Sequence, residues 1–182
     1  MAEPSVLHDI IRQSLGGCAT VLSQILQATI TLGYDLVVDN TTSPDAVPAL
    51  SGPQGTGISA RFAGDLSGKL VLFLPDEASR YLAEILTGRD EEHKIMSEIA
   101  VSSLKETGNI LVSSFVSSLE DGFSLHCLPA LPNLYQAVSA ESLLADCRRP
   151  GCSCAIVESP FSVCRDGRTI GGTIYLCATR AD

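Results

Sequence analysis

Three polar residues with the spacing Ser102-x3-Glu106-x2-Asn109 are the strongest candidates for chemistry in this sequence. An α-helix turns by about 100° per residue, so Glu106 falls about 40° from Ser102, and Asn109 falls about 20° to the other side. The three side chains would therefore share one stripe of a helix. The opposite side, at about 180 to 220°, carries apolar residues: Leu104, Leu111 and Phe115. The pattern predicts a carboxylate and a carboxamide on a rigid element whose other face packs on a core.

Two details favour a functional site over an ordinary solvated helix face. Gly108, in the middle of the predicted helix, costs about 1 kcal/mol relative to alanine, which suggests that something packs or docks closely there. Asn109 is a mediocre helix former, so its presence in an otherwise strong helix also needs a reason.

The stripe is positioned by a predicted helix from about 96 to 119 that stops near Gly122. It belongs to the second of two similar halves. Each half opens with a helix, the first from about 5 to 27 with an interruption at Gly16 and Gly17, and continues into strand-like runs. These runs are Thr29 to Val38, Gly57 to Ala63 and Lys69 to Leu74, and then Ser124 to Leu128, Cys154 to Cys164 and Thr169 to Ala178.

Local signals connect these elements. Hairpin turns are predicted at Gly64–Gly68 and at Asp166-Gly167-Arg168, and a helix from about 76 to 86 should end at Gly88. The stretch from 40 to 58 is rich in proline, glycine and serine and is predicted to be a loop. The stretch from 129 to 150 is predicted to be irregular, with a short helix around 140 to 146.

Composition excludes several classes of function. The chain has 182 residues, a formal charge of −9 and a pI near 4.7, whereas phosphate-backbone binding needs clustered lysine and arginine. The sequence shows no signal peptide, and no apolar run approaches the roughly 20 residues that span a bilayer. We therefore expect a soluble protein in the cytoplasm, with no nucleic-acid or membrane partner.

The seven cysteines are predicted to be reduced thiols, as is usual inside the cell. An alternative is a zinc module built from Cys147, Cys152, Cys154 and Cys164. The single residue between Cys152 and Cys154 departs from the usual C-x2–4-C spacing and speaks against it. The three histidines have no metal-ligand spacing, and no P-loop or G-x-S-x-G motif is present. We therefore expect no metal site.

The motif Ser102-x3-Glu106-x2-Asn109, followed after 22 residues by Pro132, resembles the signature of the CheC/CheX/FliY family of chemotaxis phosphatases. Serine is an accepted variant at its first position. The flanking SSLKETGNILVSSFVSSLED is similar to the family's active helix. FAGDLSGKLVLFLPDEASRYLAEILTG is similar to the segment before it. The similarity spans nearly the whole chain.

The resemblance implies a single CheC-like α/β domain over residues 1–182, with pseudo-repeats at about 5–91 and 95–178. We expect a mostly antiparallel sheet of about six strands, with long helices on one face and a pseudo-twofold relation between the halves. CheC proteins often carry a second motif in the first helix. Here its positions hold Asp9, Gln13 and Gly16, with Asp39 in place of the proline, so this first motif is degenerate and predicted to be inactive.

The resemblance also implies the activity, which is hydrolysis of the aspartyl phosphate of a CheY-type response regulator. Asn109 would position the attacking water, Glu106 would pair with a lysine of the partner, and Ser102 and Pro132 would support the motif. The chain would need no cofactor of its own, because the partner regulator would supply Mg²⁺. The alternative is a non-catalytic adaptor that binds a CheD-type deamidase or serves in the flagellar switch. CheC-like or CheX-like character, and homodimer formation, stay open at this point.

Overall fold

The computed structural model of this chain describes residues 4–39, 52–90, 96–147 and 154–180. These ranges contain four helices and eight strands. The helices are α1 (Pro4–Leu26), α2 (Asp76–Thr87), α3 (Glu98–Phe123) and α4 (Ala140–Leu144). The strands are β1 (Thr29–Leu32), β2 (Asp35–Asp39), β3 (Gly55–Gly64), β4 (Leu66–Pro75), β5 (Cys127–Pro129), β6 (Asn133–Val138), β7 (Ala155–Arg165) and β8 (Arg168–Arg180). None of these helices is long and apolar enough to cross a membrane.

The strands form one antiparallel sheet in the order β1-β7-β8-β4-β3-β5, with β2 also paired to β7 and β6 also paired to β3. The two halves of the chain meet at the centre, where β4 pairs with β8. Each half also pairs its short strands with a long strand of the other half. This exchange is the pseudo-twofold arrangement expected for the fold, with eight strands where the sequence suggested about six.

The three long helices α1, α2 and α3 cover one face of the sheet and enclose the main core. Phe115 of α3 is fully buried, with its ring centroid 5.3 Å from that of Phe62 on β3. Where α1 meets α3, the Cys18 thiol donates a hydrogen bond to the Leu111 carbonyl at 3.6 Å, and burial raises the pKa of Cys18 to about 12. Cys18 and Leu111 are 93 positions apart, which is also the separation of Asp9 and Ser102, the first positions of the two motifs. Equivalent positions of two repeated helices are expected to meet where the helices cross near the pseudo-twofold axis.

The opposite face of the sheet carries a second, smaller core beneath α4. Leu143 and Leu144 of α4 pack there on side chains of β4, β7 and β8. A short helix was predicted at this place and is confirmed. The second core was not predicted, because its members come from three strands that are distant in sequence.

The predicted interruption of the first helix is wrong, since α1 runs through Gly16 and Gly17 without a break. Gly17 serves packing: a Cβ there would lie 2.7 Å from the Ser118 Oγ of α3. The predicted stop of the second long helix near Gly122 agrees with the structure to within one residue. Helix α3 continues to Phe123 and is capped by Ser124 in the left-handed region, at φ 55°. The end of α2 at Gly88, with φ 67°, is confirmed.

Two strand predictions need correction. The run from 29 to 38 is two strands, because Gly33 lies opposite Pro160 of β7. The Gly33 N–H donates to the Pro160 carbonyl at 2.6 Å, but proline has no N–H to complete the ladder. The stretch 129–150, predicted to be irregular, contains β6, an edge strand with little burial and therefore little alternation to detect. The Asp166-Gly167 hairpin is confirmed, with both residues at positive φ (51° and 76°).

Candidate active site on helix α3

Helix α3 starts at a side-chain cap. The Ser97 hydroxyl accepts a hydrogen bond from the Ala100 N–H at 3.2 Å, which satisfies one of the free N–H groups of the first turn. Glu98 in that turn places a negative charge where the helix dipole favours it. The start of α3 is thus fixed one turn before the predicted stripe begins.

The stripe faces outward as the sequence predicted. Ser102 and Glu106 are exposed and Asn109 is half-buried. The residues predicted on the opposite side are fully buried: Leu104, Leu111 and Phe115. The helix therefore holds a carboxylate and a carboxamide one turn apart on a backbone anchored by its other face.

Gly108 lies where α3 comes closest to the sheet. A Cβ at this position would be 2.3 Å from Cγ2 of Ile58 on β3 and 3.5 Å from Cβ of Pro132. The expectation that something packs closely against this glycine is confirmed. The same contact places the buried Pro132 beside Gly108, the residue directly before Asn109. The proline that the sequence linked to the stripe by spacing therefore lies against the same helix.

The loop before Pro132 is held on both sides by strand β3. Ala130 N–H donates to the Arg61 carbonyl at 2.8 Å, and Asn133 pairs with Ser59 just beyond the proline. Between these anchors Leu131 projects outward and is 84% exposed. One strand thus supports both α3, through Ile58, and the loop beside it.

A groove of about 440 Å³ runs between α3 and this loop. Its lining contains every member of the predicted motif together with apolar and charged neighbours: Met96, Glu98, Val101, Ser102, Lys105, Glu106, Asn109, Leu131 and Pro132. The structure therefore brings Ser102, Glu106, Asn109 and Pro132 to one surface. Leu131, a wall of this groove, was not predicted from the sequence, where its position next to Pro132 is the one signal for it.

The stripe is chemically available. Within the four described ranges, no hydrogen bond or ion pair to another residue holds the side chains of Ser102, Glu106 or Asn109. A carboxamide both donates and accepts hydrogen bonds without changing charge, so it can orient a water molecule. A carboxylate one turn away can pair with a cation on an approaching molecule. The arrangement is suited to completing a reaction centre carried by a partner.

The degenerate first motif lies on the exposed face of α1, where Asp9, Gln13 and Gly16 share one stripe. The position equivalent to Gly108 is Leu15, which is fully buried. This helix therefore lacks both the Glu and Asn side chains and the glycine contact found in α3. Asp39, at the position of the proline, lies in β2 and pairs with Ala155.

The zinc module suggested by Cys147, Cys152, Cys154 and Cys164 does not form as a set. Cys154 and Cys164 are at opposite ends of β7, and ten residues of strand span about 33 Å. Cys147 and Cys154 instead meet Cys177 of β8 in the core beneath α4. Cys152 lies outside the described residues. Among those described, no group of three or more His, Cys, Asp or Glu side chains is arranged to hold a metal ion.

Comparison with known proteins agrees with this fold. No family model matches the chain. It is 27% identical to the CheY-P phosphatase CheC of Bacillus subtilis over 154 residues, which covers 76% of this chain and 70% of the relative.

Solved structures show the same fold. The chemotaxis protein CheX of Desulfovibrio desulfuricans matches with a TM-score of 0.68 at 11% identity, over 94% of this chain and 99% of that one. A CheX-CheY-BeF3-Mg²⁺ complex from Borrelia burgdorferi matches with a TM-score of 0.64 at 19% identity, over 91% of this chain and 96% of that one. Thermotoga maritima FliY matches with a TM-score of 0.61 at 17% identity, over 95% of this chain and 87% of that one.

Fold and site together define a class of α/β protein. Its two halves pair their short strands with each other's long strands, and a long helix carries an outward Glu/Asn pair beside the loop that contains Pro132. In sequence the chain is similar to a CheC protein, and in fold it is similar to CheX, CheC-like and FliY proteins. These proteins include a CheY-P phosphatase.

Proposed function

We propose that this protein hydrolyses the aspartyl phosphate of a CheY-type response regulator, with one active helix, α3. The observation that carries the proposal is the pair Glu106 and Asn109, exposed on a rigid helix at the edge of the groove and without partners among the described residues. The identity to a CheY-P phosphatase and the structural likeness to a CheX bound to CheY support it.

Phosphoryl transfer needs positioning and charge neutralisation more than covalent help from the protein. In the proposed complex, the Asn109 carboxamide reaches the partner's phosphoaspartate and orients water for in-line attack. Glu106 pairs with a lysine of the partner and fixes the register between the two molecules. Ser102 and Pro132 shape the two sides of the groove.

The proposal assigns Mg²⁺ to the response regulator. The α3 surface offers Glu98 and Glu106 as its acidic groups in the groove, whereas Mg²⁺ in a phosphoryl-transfer site is bound by carboxylates together with phosphate oxygens. The acidic phosphorylation site of the partner would supply those ligands. The chain itself then contributes the carboxamide and the docking surface, and it would act in the cytoplasm with its partner.

The test follows loss of phosphate from a CheY-type regulator of the same organism, phosphorylated with a small phosphodonor in the presence of Mg²⁺. Added protein should shorten the phosphate half-life, and Asn109→Ala should lose about 100-fold of that acceleration. Glu106→Gln should weaken binding to the regulator, with a smaller dependence on salt. Gln13 lies at the position on α1 that corresponds to Glu106, and the control variant Gln13→Ala should retain full activity. If the wild-type protein leaves the half-life unchanged, the proposed activity is wrong.

A second candidate is an adaptor without catalysis, which the likeness to FliY favours. In that case the exposed stripe of α1, rather than α3, would be the surface that binds a CheD-type deamidase or a flagellar-switch component. Substitutions in the two helices separate the candidates. Loss of function with Asp9→Arg but not with Asn109→Ala would favour the adaptor.

A further inference from the structure

A pocket of about 610 Å³ opens beside α4, over strands β3, β4 and β6, on the face of the sheet opposite α3. We call it the α4 pocket. Its floor is made of polar side chains from β3 and β4: Ser59, Arg61 and Lys69. Leu131 belongs to its lining and also to that of the α3 groove. The proposed phosphatase reaction makes no use of the polar groups of the α4 pocket.

Two like charges lie opposite each other on this floor. Arg61 of β3 and Lys69 of β4 are direct cross-strand partners, and like charges in this position destabilise a sheet. Asp146, just after α4, relieves the repulsion, because its carboxylate accepts from the Lys69 ammonium at 2.5 Å and also pairs with the Arg61 guanidinium. Two cations and one carboxylate are the charged groups of the lining. The α4 pocket thus has a net charge of +1 in a chain whose formal charge is −9.

Several hydrogen-bond donors of this floor are unused. The Lys69 ammonium has three N–H groups and donates to the Leu143 carbonyl, at 2.7 Å, and to Asp146. The Arg61 guanidinium has five and pairs with Asp146 through one terminal nitrogen. The Ser59 hydroxyl belongs to a residue that is 9% exposed, and it has no hydrogen-bond partner among the described residues. Since buried polar groups are normally hydrogen-bonded, these donors require an acceptor that enters the pocket.

The walls above this floor are apolar. They include the Tyr135 ring, which is 44% exposed, together with Val138 and Leu143. Small-molecule sites typically measure about 300 to 1,000 Å³ and combine apolar walls with a few convergent polar groups. The α4 pocket has this size and composition. Its donors suit the oxygens of an anion, and its walls suit an apolar body attached to that anion.

We propose that the α4 pocket binds a small organic anion, with a carboxylate or phosphate head group and a flat apolar body. The head group accepts hydrogen bonds from Lys69, Arg61 and Ser59, and the body lies against the Tyr135 ring. Lys69 is only 7% exposed, so its bond to the head group is shielded from water and correspondingly strong. This site is independent of the proposed phosphatase activity.

The experiment titrates the full-length, ¹⁵N-labelled protein with phenyl phosphate and, separately, with benzoate, and follows the amide chemical shifts. Both acids should shift the amides of β3, β6 and the end of α4, with saturation in the low millimolar range. The tighter of the two identifies the preferred head group. Benzamide, which lacks the charge, and inorganic phosphate, which lacks the ring, should each bind about tenfold more weakly. The proposal is wrong if neither acid gives saturable shifts, if the shifts are confined to the α3 groove, or if benzamide binds as tightly as benzoate.

Two substitutions test the donors. The Arg61 side chain is 64% exposed, so Arg61→Gln should leave the fold intact and weaken binding about tenfold. Ser59→Ala removes one neutral hydroxyl and should weaken it about threefold. Arg168→Gln is the matched control, because it also removes a partly exposed arginine from an ion pair, with Glu77, and it should leave the affinity unchanged. Equal affinities in Arg61→Gln and wild type would contradict the assigned head-group contact.

Asp146→Asn gives a result of opposite sign. Removing this carboxylate raises the net charge of the α4 pocket from +1 to +2 and frees two donors, so the anionic probes should bind about fivefold more tightly. A network with a purely structural role predicts weaker binding instead, because the substitution loosens the end of α4. An affinity of Asp146→Asn equal to or below that of the wild-type protein would overturn the proposal.

Discussion

Gly108 of α3 and Ile58 of β3 touch so closely that the helix could not lie at its observed distance from the sheet with any side chain at position 108. A Cβ there would be 2.3 Å from the Ile58 Cγ2. The same glycine faces Pro132, with 3.5 Å between the two Cβ positions. The missing side chain thus sets how near the Asn109 carboxamide lies to the loop that forms the other wall of the groove.

Replacing Gly108 by alanine should destabilise the protein although alanine is the better helix former. The gain in helix propensity is about 1 kcal/mol, whereas overpacking a filled core costs about 1 to 3 kcal/mol. We expect a net loss of about 1 kcal/mol in the free energy of unfolding, measured with urea. In the Ile58→Ala background the obstructing methyl group is absent, so the same substitution should be stabilising by about 1 kcal/mol.

Gly16 is the matched control for this cycle. It also lies inside a long helix, but a Cβ there would meet nothing within 4 Å. Gly16→Ala should therefore stabilise the protein by up to about 1 kcal/mol in either background. If Gly108→Ala stabilised the wild-type protein as much as Gly16→Ala, the tight contact with Ile58 would be contradicted.

Features set by short-range chemistry could be predicted from the sequence. The outward direction of Glu106 and Asn109 follows from the helical period, and the Asp166-Gly167 turn follows from the residues that tolerate positive φ. Even the close packing of Gly108 was signalled by the helix cost of glycine. In each case the determining residues lie within one or two turns of the chain.

Features set by strand register could not be predicted. Cys177 joins Cys147 because β8 pairs with β4 and β7 in one register, and a shift of one residue would turn it to the other face. The strand β6 escaped detection because most of its residues are exposed. The path of α1 through Gly16 and Gly17 depends on packing against Ser118, which local propensity does not contain.

Leu131 should contribute to partner binding and little to stability. It is 84% exposed and forms one wall of the groove, so Leu131→Ala should change the free energy of unfolding by less than about 0.5 kcal/mol. If the proposed function is right, the variant should bind the phosphorylated regulator about fivefold to tenfold more weakly, because an apolar contact is lost. Titration by calorimetry or fluorescence measures this.

Leu128 is the control for Leu131. It is 79% exposed and lies on the neighbouring strand β5, outside the groove lining. Leu128→Ala should therefore leave the affinity for the regulator unchanged. Equal loss of affinity in both variants would mean that the partner contacts a broad apolar surface and not the groove.

Ser124 caps α3 in a conformation that favours glycine. Its φ of 55° lies in the left-handed region, its N–H donates to the Glu120 carbonyl at 2.9 Å, and it is exposed. Ser124→Gly keeps these bonds and removes the strain, so it should raise the melting temperature, with a gain of about 0.5 to 1 kcal/mol. The reverse change at the equivalent cap of α2, Gly88→Ala, should lower stability by about the same amount. A destabilising Ser124→Gly would contradict the assigned cap.

Asp146 should stabilise the protein at neutral pH and lose that effect in acid. Although partial burial acts to raise the pKa of Asp146, the Lys69 ammonium and then the Arg61 guanidinium hold it below its usual range. A carboxyl group whose pKa is lower in the folded state stabilises the fold above its unfolded pKa of about 3.9. This contribution is lost as pH falls below that value and through the lower folded pKa.

Asp146→Asn should therefore cost about 2 kcal/mol at pH 7, less than for a fully buried pair because the Asp146 side chain is 27% exposed. Lys69 would keep its bond to the Leu143 carbonyl but lose its counter-ion. The difference from wild type, measured by urea unfolding between pH 7 and pH 2.5, should shrink below about pH 4. Asp166→Asn removes an exposed pair with Arg165 and should cost less than about 0.5 kcal/mol at any pH. A cost for Asp146→Asn that stays constant down to pH 2.5 would show that the carboxylate charge does not stabilise the end of α4.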